Sequence, residues 1–231
     1  MSVYALVTAE ALRRHASAHS VSEDAERAYR VSTIAFIVLA GEKLYGPAHA
    51  ATATAAVFAH RFFARHSYQS HNRYAVAQAC LFLAGKVEEV PRKLRDVLLE
   101  ASRLLAPQRG LKAAMAESMA GGKDAARAVM RKEKILLYTC EFDVCVAHAG
   151  AAVGGIVREW AKASRLPEPA VARLERTAAS LAFDSIYTTL CIRFPAAKIA
   201  AACVHVAALV QVRTAAARTR ARACHWRVAR I

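Results

Sequence analysis

Apolar positions recur along most of this chain at three- and four-residue spacings, without alternating runs, so helix is the predicted element nearly throughout. The first helix opens near Glu26, with Val31, Ile34, Ala35 and Val38 at i, i+3, i+4 and i+7, and "GEKLYGP" closes it with Gly46 and Pro47. A second is expected over about 49–66, with Phe58, Phe62 and Phe63 as its bulky packing. A third is expected over about 71–87. There Ala75, Val76, Ala77, Ala79, Cys80, Leu81, Phe82 and Leu83 leave little polar face. A helix apolar all round is surrounded by neighbours, so 71–87 is the expected axis of a bundle and its most buried element. Pro91 cannot continue this helix, and it pushes Val90 to an extended conformation. A fourth helix is expected over about 92–105 and a fifth over about 124–140, joined by the glycine-containing stretch 106–123. "EFDVCVAHAG" then reads as a linker, and three helices follow at about 149–163, 168–190 and 195–211.

The two halves share a weak repeat. "TAAVFA" (54–59) matches "TAASLA" (177–182), and "AQACLFLA" (77–84) matches "AAACVHVA" (200–207), both at an offset of 123 residues. Two matches in one register, each on a comparable helix, point to a duplicated helical domain. The period is too long for a solenoid. At that offset Lys86 falls opposite Leu209, so only the first copy carries the lysine.

Composition agrees with an all-α reading. Hydrophobic residues make up 56% of the 231 and aromatics only 7%. Alanine, which favours helices and lets them pack closely, dominates the apolar share. The formal net charge of +15 suits either a polyanionic partner or a basic solvated surface. It is spread along the chain: residues 91–134 hold eleven Lys/Arg against five acids, and residues 213–230 hold six Arg and no acid. Cys80, Cys140, Cys145, Cys191, Cys203 and Cys224 form no CxxC, and most lie in apolar helical runs, which reads as free thiols in a reducing compartment. The N-terminus "MSVYALVTAEALRRH" is too short and interrupted for a signal peptide, and no apolar run of about 18 residues calls for a membrane span.

Enzymatic chemistry finds little support. His15 with His19, and Cys203 with His205, lack flanking ligands at metal-binding spacing, so no metal site is expected. "GGKD" at 121–124 lacks the rest of a phosphate-binding loop. Glu88 and Glu89 are adjacent and do not face each other on a helix, so they do not form an acid pair. No cofactor is implied. Glu133 is different. In "VMRKEKILLYT" it shares a helix face with Met130 and Leu137, and an acid on an apolar stripe is costly unless paired. The Lys86 ammonium, suited to the C-terminal end of its helix, is the candidate partner. Spacing alone leaves open whether such a pair is structural or functional.

"HRFFARHSYQSHNRYAVAQACLFLAGKVEEVPRKLRDVL" resembles the cyclin box of the transcriptional cyclins, the T and K types most of all and the L type as a near relative. "FDSIYTTLCIRFPAAKIAAACVHVAALV" resembles the start of the second box of the same group. The resemblance implies two stacked helical bundles and no catalysis of the chain's own. It implies binding and activation of a cyclin-dependent protein kinase that acts in RNA polymerase II transcription, and a nuclear location. It also implies that Lys86 and Glu133 fasten the chain to its kinase, with Val87, Glu88, Glu89, Val90 and Leu137 extending the contact. Arg30 matches a family arginine on the first helix, and His60 a position occupied by His in the transcriptional branch.

The expected organisation is an N-terminal extension (1–25), a first cyclin box (26–142), a linker (143–148), a partial second box (149–211) and a basic tail (212–231). The tail, "RTAAARTRARACHWRVARI", shows no clear apolar stripe, so the second box is expected to be incomplete, and the tail is a candidate contact for nucleic acid. The alternative reading is a nucleic-acid-binding transcription factor of the TFIIB type, which shares the fold and would suit the net charge.

Overall fold

The computed structural model describes residues 6–13, 21–107 and 122–228, the side chains of the last helix as far as Val212. Described residues are helical or irregular, with no strand among them. The helices are α1 (Ala9–Arg13), α2 (Glu23–Tyr45), α3 (Ala50–Phe63), α4 (Arg73–Val87), α5 (Leu94–Leu105), α6 (Lys123–Thr139), α7 (Ala149–Ser164), α8 (Glu168–Asp184), α9 (Leu190–Arg193) and α10 (Ala196–Val228). Much of the 106–123 connection, His15 and His19, and the side chains of the basic tail lie outside the described residues.

Local chemistry sets the helix starts. The Ser22 hydroxyl accepts the Ala25 N–H at 3.3 Å, the His49 Nδ1 accepts the Ala51 N–H at 3.1 Å, and the Asn72 carbonyl oxygen accepts the N–H groups of Tyr74 and Ala75 at 3.0 and 3.1 Å. Each cap satisfies N–H groups that the first turn of a helix leaves without partners. The helix expected over 168–190 breaks at Asp184 and continues as a 3-10 turn (Ser185–Tyr187) and the short α9. The Thr188 hydroxyl donates to the Ser185 carbonyl at 2.7 Å and accepts the Leu190 N–H at 3.3 Å. Such side-chain bonds offer the backbone an alternative to the helix ladder. The last helix, expected to stop near 211, keeps a helical backbone to Val228.

By its internal contacts the chain forms two compact units. One is Met1–His148 with Ser185–Pro195; the other is Ala149–Asp184 with Ala196–Ile231. The first centres on α3 rather than on α4. Twelve of the fourteen α3 residues are buried, against eight of fifteen in α4. Phe58 and Phe62 are fully enclosed, because α3 packs on α2, α4, α6, α9 and the 3-10 turn. The expectation that α4 is the most buried element is therefore corrected: Phe82 and the Lys86 end of that helix reach the surface. On α2 the buried face runs through Ile34, Phe36, Ile37, Val38, Ala40 and Leu44, whereas Val31 is 45% exposed. The second unit is a mutual packing of α7, α8 and α10. The repeated motifs lie on the packed pair α3 and α4 in one unit and the packed pair α8 and α10 in the other. None of the described helices is long and apolar enough to cross a membrane.

Candidate functional site

The end of α4 has a defined geometry. The Val90 N–H reaches the Gly85 carbonyl at 2.9 Å and the Glu89 N–H reaches the Lys86 carbonyl at 3.4 Å, while Glu89 sits at φ +58. This is the paired bonding of a left-handed helix stop, and Pro91 follows directly. The stop fixes where the last-turn Lys86 projects. Its ammonium lies 2.6 Å from Glu133 Oε1 on α6 and 4.0 Å from the centre of the Phe82 ring, one turn back. The two ends of the pair differ: the Lys86 side chain is 45% exposed and that of Glu133 only 13%. A pair with one wet partner contributes about 0–1 kcal/mol to folding. The lysine retains donor capacity toward an incoming acceptor, since an ammonium has three N–H groups.

The neighbouring candidates divide. Glu89 is exposed, and Val87, Val90 and Leu137 are half-buried. Glu88 is turned inward: its Oε1 accepts the Thr54 hydroxyl at 2.6 Å and lies 3.6 Å from His148 Nε2. Thr54, fully buried on α3, also contacts His148 Nε2 at 2.8 Å. The Glu88 carboxylate thus ties the corner after α4 to α3 and to the segment ahead of α7. Tyr138 and Phe142 were not expected at this surface. Both are 61% exposed, with their rings in edge contact at 5.4 Å. Tyr138 lies eight residues after the exposed Met130 on one face of α6, a spacing that could have found it.

Arg30 and His60 belong to another part of the same unit. Arg30 pairs with Glu26 one turn back on α2 and acts electrostatically on Tyr68, His60 and Cys191. His60 is buried on α3, and its Nε2 lies 2.7 Å from the Ile186 carbonyl. A carbonyl only accepts, so Nε2 carries the proton. Burial lowers the ring's pKa to about 4; the Ile186 bond opposes this, and Arg30 adds to it. The buried Ile186 and Ile192, and a bond from the Val7 N–H to the Ile192 carbonyl at 2.8 Å, complete the anchoring of 185–195. Among the described cysteines all are free, and burial raises the thiols of Cys80, Cys140, Cys191 and Cys203. No group of three or more metal-ligating side chains occurs among the described residues.

Residues 1–145 match the family described as "Cyclin, N-terminal domain". The chain is 32% identical over 183 residues to Cyclin-T1-2 of Arabidopsis thaliana, covering 79% of this chain and 38% of that protein. It is 32% identical over 182 residues to human Cyclin-K, covering 79% of this chain and 29% of that one. The chain therefore spans little more than a third of the length of these relatives, or less. Among solved structures, one from the yeast RNA Pol II CTD kinase CTDK-1 complex aligns over 87% of this chain and 61% of its own, with a TM-score of 0.68 at 20% identity. One from the CAK complex of Chaetomium thermophilum aligns over 87% and 70%, at 0.58 and 16%. At these identities the structures speak for the fold alone. The match over residues 1–145 and the T- and K-type relatives decide the family: the chain is a cyclin of the transcriptional group.

Proposed function

We propose that the chain is a regulatory subunit that binds and activates a cyclin-dependent protein kinase acting in RNA polymerase II transcription. The observation that carries this reading is the Lys86–Glu133 pair at 2.6 Å, in a chain of the T- and K-type group. In this reading the two side chains hydrogen-bond the kinase backbone just before the helix that must be repositioned for activity. Such repositioning completes the kinase's own Lys–Glu pair and opens its activation loop. Glu89, Val87, Val90 and Leu137 extend the contact, while Glu88 supports the corner from inside. The kinase supplies the catalysis, and the cyclin holds neither cofactor nor metal. Residues 26–142 act as the first box and 149–211 as a partial second box, with the nucleus as the place of action.

The test is capture of a kinase from nuclear extract by the full chain, with the bound kinase identified and its activity measured. Truncating one member of a desolvated charged pair costs about 2–5 kcal/mol of binding, on the order of 30-fold to several thousand-fold in affinity. Lys86→Ala or Glu133→Ala is therefore expected to abolish capture and activation without unfolding the bundle. The double variant loses less than the sum of the singles, because the two side chains act as one unit. Folded single variants that activate the kinase at wild-type strength would reduce the pair to a structural role. A salt-dependent gel shift without kinase capture would instead support the reading suggested by the +15 charge, a DNA-binding factor of the TFIIB type.

A further inference from the structure

Between the end of α3 and the start of α4, the chain gathers basic groups that the kinase-binding reading does not use. His66 follows α3, His71 precedes the Asn72 cap of α4, and Lys132 reaches His71 from α6. The two imidazoles meet edge to face at 5.1 Å. Lys132 Nζ lies 2.7 Å from His71 Nδ1, and His66 Nε2 lies 2.9 Å from Thr139 Oγ1.

The hydrogen-bond directions follow from the chemistry. An ammonium only donates, so His71 Nδ1 accepts from Lys132 and its ring is neutral. The Thr139 hydroxyl donates to the Ile135 carbonyl at 2.8 Å, so it accepts from His66 Nε2. Each neutral ring therefore has an unprotonated Nδ1 that becomes a donor when the ring takes up a proton. A protonated His71 beside Lys132 would place two cations within hydrogen-bond distance of each other, which requires an anion between them. The surrounding charges agree. Burial and neighbouring cations lower His66 (Lys132, Arg65), His71 (Lys132, His66) and Lys132 (Arg131). The nearby acids are engaged elsewhere: Glu141 pairs with Arg65 at 2.8 Å, and Glu133 with Lys86. Among the described residues no carboxylate pairs with Lys132.

We propose that His66, His71 and Lys132 form a proton-coupled site for the dianionic phosphate group of a phosphorylated peptide. The anion takes over the Lys132 hydrogen bond, His71 protonates, and His66 follows. Three donor side chains face a group with three acceptor oxygens and a charge near −2. A nucleic-acid phosphodiester carries a single charge and matches the cluster less well. The site is independent of the kinase reading, since it is tested on the isolated full chain.

The test follows the histidine ring protons by NMR against pH, with peaks assigned through His66→Gln and His71→Gln. Sulfate is the first probe because it does not titrate in this range; chloride at matched ionic strength is the control. Sulfate is expected to raise both histidine pKa values by about one unit, which makes its binding about tenfold tighter to each protonated ring than to the neutral one. A phosphoserine peptide is expected to bind at least tenfold tighter than its unphosphorylated form, and Lys132→Met is expected to erase that preference. Histidine titrations unmoved by sulfate relative to chloride would overturn the proposal. So would a phosphopeptide that binds no better than its unphosphorylated form, or one displaced by a single-stranded oligonucleotide at comparable concentration.

Discussion

Replacing His60 by glutamine isolates the energy stored in one buried ring. The amide can still donate to the Ile186 carbonyl, which His60 Nε2 meets at 2.7 Å, but it cannot take up a proton. The folded-state pKa of His60 is lowered to about 4 from 6.5. The unfolded chain therefore binds the proton first as pH falls. Stability from the neutral ring is complete above about pH 6.5, declines as pH drops below it, and is fully lost below about pH 4. At one unit per 1.36 kcal/mol the whole shift is worth about 3 kcal/mol, of which about 2 kcal/mol is gone by pH 5. The assay is urea unfolding of wild type and His60→Gln at pH 8 and pH 5. Between those two pH values the wild type is expected to lose about 2 kcal/mol more than the variant, whatever their difference at pH 8. His66 and His71 titrate in both proteins and cancel. If the two proteins show the same pH dependence, the ring is not held neutral in the fold, and the anchoring of 185–195 through His60 is wrong.

Four further outcomes test the packing and the site. Thr52 buries a hydroxyl with no partner among the described residues, so Thr52→Val is expected to stabilise by about 1 kcal/mol in thermal or urea unfolding. A Cβ on Gly41 would come within 2.3 Å of Thr52 Oγ1, so Gly41→Ala should cost about 1–3 kcal/mol, with part regained on adding Thr52→Ala. Leu136, fully buried on α6, is expected to lose about 2–5 kcal/mol on truncation to Ala, whereas Leu137→Ala leaves the melting temperature nearly unchanged and weakens kinase capture. Deletion after Val212 should leave kinase capture intact, because Lys86 and Glu133 both lie in the first compact unit.

The helices of this cyclin were legible because their signals are local. Gly46 with Pro47, and Pro91, each stop a helix by their own covalent chemistry. The break after Asp184 was not legible. "FDSIYTTL" fits a helical pattern as well as the residues before it. What ends the helix is a set of bonds: Thr188 to the local backbone, and Ile186 to a histidine 126 residues away in sequence. Periodicity likewise put Val31 inside, since 31, 34, 35 and 38 share a helical spacing. The buried face instead runs through Ile37 and Leu44, because α2 packs on α3, α4 and α5 together and so buries a wider arc than one stripe. The same limit misplaced the centre of the bundle. Apolar content favoured α4, but α3 buries His60 and Arg61 as well as its phenylalanines. No composition rule finds a core helix through its polar residues.

The site was half legible, and the physical reason separates its two acids. Glu133 could be paired with Lys86 from sequence because an acid on an apolar stripe demands a cation, and the end of α4 supplies one. Glu88 looked equivalent to Glu89, since both follow the lysine and precede the proline. The helix stop treats them differently. Glu88 still has a right-handed backbone (φ −88), whereas Glu89 takes the left-handed position (φ +58), so successive side chains leave the corner in different directions. One carboxylate returns to Thr54 and His148, and the other stays in solvent. The corner that aims Lys86 is thus held from behind by a buried hydroxyl. A rim that must present a charge at a fixed place needs such a support, because the pair itself contributes too little to hold its own geometry.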